Sequence, residues 1–239
     1  MLIAGPCSVE NYEKTLTDAL YIKSCGIEYF RAGAFKPRTH PNSFQGLREE
    51  GLEILSKIKK ETQLKIVTEI VDAEHLPLYK DIDVLQVGTR NCQNFELLKK
   101  IAKSNKTILL KRGFGMTIEE FIGSANYLTA YGAKDVILCE RGIRTFENAT
   151  RNTLDLAAVP IIHNTTGYEI IVDPSHGTGR QDLVIPMSRA AMAAGADGLI
   201  VECTKIPEMA LTDKQQTINY DQLLEVKKIY ESRNRYLSL

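Results

Sequence analysis

Short apolar runs recur along the chain at fairly regular spacing, separated by stretches in which apolar residues return at helical intervals. The runs LIAGPC (2–7), EYFRAGA (28–34), KIVTEI (65–70), VLQVG (84–88), TILLKR (107–112), VILCER (136–141), EIIVDP (169–174) and LIVEC (199–203) are rich in Val, Ile and Leu and lack clean alternation. Strands covered on both faces have this pattern. The stretches at 11–25, 46–60, 95–102, 117–131, 151–158, 183–194 and 220–231 read as helices, with a short one at 73–79. In 46–60, Leu47, Leu52, Leu55 and Ile58 supply the apolar face. Repeated strand–helix alternation implies a parallel sheet. Eight such units in 239 residues have the size of a closed (β/α)8 barrel, with 1–239 as a single catalytic domain. A doubly wound open sheet is the alternative, although no GxGxxG follows the first strand.

Charge narrows the function. Lys plus Arg number 30 and Asp plus Glu number 30, so a general polyanion binder is not expected and any anion site must be local. Five cysteines without a CxxC pair do not make a disulfide framework and suggest a reducing compartment. No run approaches the ~20 apolar residues needed to span a bilayer, and the N-terminus has no basic region. The expectation is a cytoplasmic protein with neither nucleic acid nor membrane as partner.

In a barrel, catalytic groups gather where strands end. Here every expected strand ends in a polar or ionisable group. The ends are Cys7-Ser8, the cluster Arg31, Lys36 and Arg38, then Glu69, Arg90, Lys111-Arg112, Glu140-Arg141, Asp173-Pro174-Ser175-His176 and Glu202-Cys203. The cations would converge on one rim, and guanidinium and ammonium groups in that number exceed what one phosphate needs. Singly, each is as readily a solvated loop residue. Cys7, His176, Glu202 and Asp213 offer a thiolate, an imidazole and two carboxylates, a mixture suited to Mn, Fe, Co or Zn. A lone Cys in a strand is more often a small buried hydrophobe.

The segments IAGPCSVE, RAGAFKPRT with NSFQGL following, VGTRNCQNFELL, LLKRG, CERGIRTFE, IVDPSHGTGR and VEC…LTDKQQ closely resemble the 3-deoxy-D-arabino-heptulosonate 7-phosphate (DAHP) synthases, in the short type I class related to 3-deoxy-octulosonate 8-phosphate synthase. The resemblance implies a metal-dependent barrel enzyme that opens the shikimate pathway by condensing phosphoenolpyruvate with erythrose 4-phosphate, releasing phosphate. It implies a divalent metal on Cys7, His176, Glu202 and Asp213. It places Arg90, Lys111 and Arg141 on the phosphoenolpyruvate phosphate, Arg31 and Lys36 near its carboxylate and reacting carbons, and Arg38 and Thr39 on the acceptor phosphate. Glu69 is the candidate for positioning or deprotonating the attacking water, with a supporting contact to an arginine as the competing role. A homo-oligomer and a chorismate mutase partner are compatible with the family.

Departures from the family pattern are local. The usual EVH after the eighth strand reads Glu202-Cys203-Thr204, and strand alternation turns Cys203 to the outer face. The stretch PIIHNTTGYE also departs, reads as a loop, and leaves His163 without a role. The chain starts at the first barrel strand, without an N-terminal regulatory domain or a hairpin plugging the barrel bottom, so inhibition by phenylalanine, tyrosine or tryptophan is not expected. The rival functions are the octulosonate synthase, whose family typically reads KANRS where this chain has Lys36-Pro37-Arg38-Thr39, and a non-catalytic sugar-phosphate-binding regulator.

Overall fold

A computed structural model describes residues 1–38 and 40–233. Eight parallel strands close into a barrel: β1 (Leu2–Gly5), β2 (Tyr29–Arg31), β3 (Lys65–Glu69), β4 (Val84–Val87), β5 (Thr107–Lys111), β6 (Val136–Glu140), β7 (Glu169–Val172) and β8 (Gly198–Glu202). β8 closes onto β1 in the register Leu2↔Leu199 to Gly5↔Glu202. The helices are α1 (Tyr12–Ser24), α2 (Glu49–Thr62), α3 (Phe95–Ile101), α4 (Ile118–Ala130), α5 (Ala158–Thr165), α6 (Pro174–Thr178), α7 (Gln181–Ala193) and α8 (Tyr220–Glu231). A 3₁₀ segment, Ala73–Tyr79, stands between β3 and β4.

The strands read as continuous apolar runs because each serves two cores. Ile3, Val67, Val84, Leu109, Ile137, Cys139, Ile171 and Ile200 fill the barrel interior. Their alternate neighbours, among them Ala4, Ile66, Leu85, Leu110, Leu138, Ile170, Leu199 and Val201, pack under the helices. Local signals set the helix ends. Thr117 accepts from the Glu120 amide while the Glu120 carboxylate accepts from the Thr117 amide, a reciprocal cap that starts α4.

Two expected helices begin elsewhere. The apolar pattern starts at residue 46, but Gly46 has φ +88° and a Cβ there would lie 2.1 Å from the Ala34 carbonyl oxygen, so α2 waits until Glu49. Residues 151–157 are not helical. Their backbone is held across to α6, with the Arg151 amide donating to the Thr178 carbonyl at 2.8 Å and the Asn152 amide to the Gly177 carbonyl at 3.1 Å. The helix starts at Ala158, inside the stretch expected to be a loop, and tolerates Pro160 in its first turn where the missing N–H costs nothing. His163 thus lies on α5, with Nε2 2.8 Å from Asp197 Oδ2, remote from the strand ends that carry the site.

Candidate active site

Strand parity selects the groups that enter the site. Two residues beyond an interior side chain, the next side chain again points inward, now above the apolar plug. Tyr29 leads to Arg31, Val67 to Glu69, Val84 to Gln86, Leu109 to Lys111, Cys139 to Arg141, Ile171 to Asp173 and Ile200 to Glu202. The opposite parity points out. Arg112 and Glu140 pair with each other at 2.8 Å beneath the helices, and Arg112 also meets Asp155 at 2.8 Å. They sit at strand ends but belong to the scaffold. Cys203 is buried in the outer core, as its parity requires.

Cys7, His176, Glu202 and Asp213 bring one ligand atom each to within 4.8 Å of one another. Four donors arranged around an ion at bond lengths of ~2.0–2.3 Å lie at such separations, so the set fits a metal. Its chemistry fits as well. Asp173 Oδ2 lies 2.7 Å from His176 Nδ1, which leaves Nε2 for the cluster, 3.2 Å from Glu202 Oε1. Burial pushes His176 below its ordinary pKa, keeping the imidazole neutral and able to ligate. Burial, followed by the Glu202 carboxylate, pushes the Cys7 thiol up to about 12. In the metal-free cluster the thiol therefore keeps its proton, donating to Asp213 Oδ2 at 3.1 Å and accepting from Lys36 Nζ at 2.9 Å.

Beside this cluster lies a cavity of about 320 Å³ that Arg31, Lys36, Arg38, Glu69, Arg90, Lys111, Arg141, His176 and Asp213 all line. The expected cations do converge. Arg31 and Lys36 bind the ligand side: Arg31 meets Glu202 Oε1 at 2.7 Å and the Cys7 carbonyl at 3.1 Å, and Lys36 also meets that carbonyl at 3.1 Å. Arg31 Nε is a buried donor without a partner among the described residues. Lys111 Nζ lies 2.5 Å from Asp173 Oδ2, so one carboxylate serves both the ligand His176 and a cavity cation. Glu69 is held in the cavity with its pKa raised by burial, against the pull of Lys36 and Lys111. Its position needs Gly88, because a Cβ there would fall 1.9 Å from Glu69 Oε1. Thr39 lies outside the described residues.

Several site groups had no assigned role in the sequence. Asp173 appeared only as a strand-end acid. Its spacing of three before His176 is the available signal, since its Oδ1 also accepts from the His176 amide at 2.9 Å as the cap of α6. Gln216, within the LTDKQQ segment, is fully buried with Nε2 2.7 Å from Glu202 Oε2. Phe114 puts its ring beneath three guanidiniums, with Arg90, Arg141 and Arg144 at 5.5, 5.0 and 4.4 Å from its centroid. Arg151 lines the cavity from a segment expected to be helical. Thr204, where the family pattern has histidine, instead donates to Asp18 Oδ2 of α1 at 2.8 Å, facing a separate cavity of about 280 Å³ behind Cys7.

Residues 1–238 match the family described as the DAHP synthetase I family. The chain belongs to that family. It is 51% identical over 226 residues to the phospho-2-dehydro-3-deoxyheptonate aldolase of Thermotoga maritima, covering 94% of this chain and 67% of that protein. The crystal structure of the Thermotoga maritima enzyme, also named DAHP synthase, superposes with a TM-score of 0.91 at 49% identity, over 98% of this chain and 68% of the other. A truncated form of 3-deoxy-D-arabino-heptulosonate 7-phosphate synthase from the same organism gives 0.90 at 45% identity, over 98% of this chain and 87% of that one. A 2-dehydro-3-deoxyphosphooctonate aldolase from a Geobacter species is 32% identical over 97% of this chain and 90% of its own length. Among the described residues, no helix is long and apolar enough to cross a membrane.

Proposed function

We propose that this chain condenses phosphoenolpyruvate with erythrose 4-phosphate to give 3-deoxy-D-arabino-heptulosonate 7-phosphate and inorganic phosphate, using a divalent ion of the Mn, Fe, Co or Zn class. The observation that carries the reading is a four-donor ligand set, two of whose members, His176 and Asp213, line the same cavity as seven Lys and Arg side chains. Such a cavity suits two phosphates and a carboxylate brought beside a polarised aldehyde.

The ion, when bound by Cys7, His176, Glu202 and Asp213, supplies a Lewis acid for the aldehyde oxygen. The protein's own groups do the rest. Arg90, Lys111 and Arg141 hold the phosphoenolpyruvate phosphate, with Phe114 keeping the arginines together against their mutual repulsion. The Nε of Arg31 and the Nζ of Lys36 face its carboxylate. Arg38 and Thr39 hold the acceptor phosphate, so the enol carbon meets the aldehyde carbon and a carbon–carbon bond forms. Positive charge then develops at the carbon bearing the phosphate. Glu69 accepts the proton of the water that adds there, and burial, which raises its pKa, suits it to that work. The hydroxyl left on that carbon loses its proton as the bond to the phosphate oxygen breaks and the carbonyl forms. The former aldehyde oxygen takes up a proton to become the new hydroxyl. Positioning of two anions by fixed cations lowers the barrier by several kcal/mol in such sites.

Phosphate release from phosphoenolpyruvate, measured with erythrose 4-phosphate and with arabinose 5-phosphate, tests the reading. Turnover with the four-carbon sugar alone is expected. Preference for arabinose 5-phosphate would assign the chain to the octulosonate reaction.

A further inference from the structure

Arg151 reaches the ligand set from outside it. Its Nη1 lies 3.3 Å from Asp213 Oδ1 and 3.0 Å from Gln216 Oε1. The far end of the Gln216 amide lies 2.7 Å from Glu202 Oε2. Each carboxylate ligand therefore has one oxygen held by this bridge and the other turned to the cluster: Asp213 Oδ2 faces Cys7 Sγ at 3.1 Å, and Glu202 Oε1 faces His176 Nε2 at 3.2 Å. The backbone around Arg151 also grips the helix that carries the third ligand. Asn152 Nδ2 donates to the His176 carbonyl at 2.9 Å, beside the two amide bonds onto α6.

The surroundings fit the arrangement. Asp213 has φ +51°, a left-handed conformation that Asp adopts more readily than most residues with a side chain, and Arg151 meets the carboxylate that this backbone presents. Gly179 at φ +68° ends α6, and a Cβ there would lie 2.5 Å from Arg151 Cβ, so the helix end is shaped to let the arginine pass. Gln216 is fully buried and its amide has one good orientation, donor to Glu202 and acceptor from Arg151.

We infer that Arg151 is a positioning residue for the metal site, fixing Asp213 directly and Glu202 through Gln216. The inference rests on Cys7, His176, Glu202 and Asp213 being the metal ligands. Partners that orient ligands in this way usually change metal affinity by about 10–100-fold when removed.

The test uses enzyme loaded with Co²⁺, whose thiolate-to-metal charge-transfer absorbance reports Cys7 coordination, challenged with graded chelator. Arg151→Ala should lose the band at about 10–100-fold lower chelator than the parent, and Arg151→Lys, which keeps a cation, should recover part of the loss. Arg151→Ala combined with Gln216→Ala should lose less than the sum of the single losses, because both act through one bridge. Retention by Arg151→Ala within about twofold of the parent overturns the inference, whatever happens to its melting temperature. A raised KM for the acceptor sugar phosphate with unchanged Co²⁺ retention also overturns it and makes Arg151 a substrate ligand. Absence of the band in the parent overturns the ligand reading itself, and this inference with it.

Discussion

Asp173 hydrogen-bonds His176 side chain to side chain, with 2.7 Å between Oδ2 and Nδ1, and also caps the helix on which that histidine sits. Against burial, His176 and Lys111 hold the Asp173 carboxyl well below the usual range, so it stays ionised at any working pH. Asp173→Asn removes that charge. The histidine loses the partner that fixes its tautomer, and buried Lys111 loses its counter-ion. Metal retention should fall about 10–100-fold in chelator competition. The melting temperature of the metal-free protein should fall too, because a buried ammonium is left uncompensated. Normal retention in this variant would mean that something other than Asp173 orients the imidazole.

Metal loading should release a proton. The Cys7 thiol, pushed up to about 12, is protonated in the metal-free cluster at neutral pH, and only the thiolate ligates. The imidazole is already neutral there, since burial lowers the His176 pKa. Apparent affinity should therefore rise about tenfold per pH unit between roughly pH 7 and 9. Titrations of metal into the stripped protein at several pH values measure the slope. A flat profile would show that Cys7 is a thiolate before the ion arrives, or is not a ligand.

The two phosphates should separate by mutation. Arg38 follows β2, whereas Arg141 follows β6 and is 3% exposed. Arg38→Ala should mainly raise the KM for the aldose phosphate, and Arg141→Ala that for phosphoenolpyruvate. Loss of one charged partner of a phosphate should cost on the order of 2 kcal/mol, a factor near 30. Equal effects of both variants on both substrates would show that the cations are wrongly partitioned.

The sequence carries the site well because the barrel imposes a parity that can be counted. Once the strands are placed, Lys111, Arg141 and Glu202 fall on the interior face. Parity also explains what misleads. Arg112 and Glu140 look equally functional at strand ends, and only their outward facing shows that they brace each other. Loop geometry is less legible. Apolar spacing in 151–158 imitates a helix, but Arg151 and Asn152 bond to α6, twenty-odd residues away, and no local pattern reports a contact of that range. Gln216 is hidden for a similar reason: a glutamine looks like surface until Glu202 and Arg151 are known to lie on either side of it.

Thr204 shows how a departure from the family is absorbed. It joins Lys205 and Tyr220 in donating to Asp18, at 2.8, 3.0 and 2.7 Å. Burial nevertheless dominates and raises the Asp18 pKa above its ordinary 3.8. A raised folded value means that the acid's contribution to stability is complete below the ordinary value and is lost as pH climbs through the raised one. Asp18→Asn keeps the shape and does not titrate. Relative to the parent, it should gain stability from about pH 4 toward neutrality, read as the difference in melting temperature across that range. A parent that gains on the variant over the same range would show that the three donors outweigh burial.

The most direct measurement is phosphate release from phosphoenolpyruvate and erythrose 4-phosphate by protein stripped of metal, before and after a divalent ion is restored, with Cys7→Ala alongside. The stripped parent should be inactive and regain turnover in proportion to the ion bound. Cys7→Ala should stay folded, bind little metal and remain inactive. Full turnover by the stripped parent, or near-normal activity and metal content in Cys7→Ala, would contradict a metal-assisted condensation at this cavity.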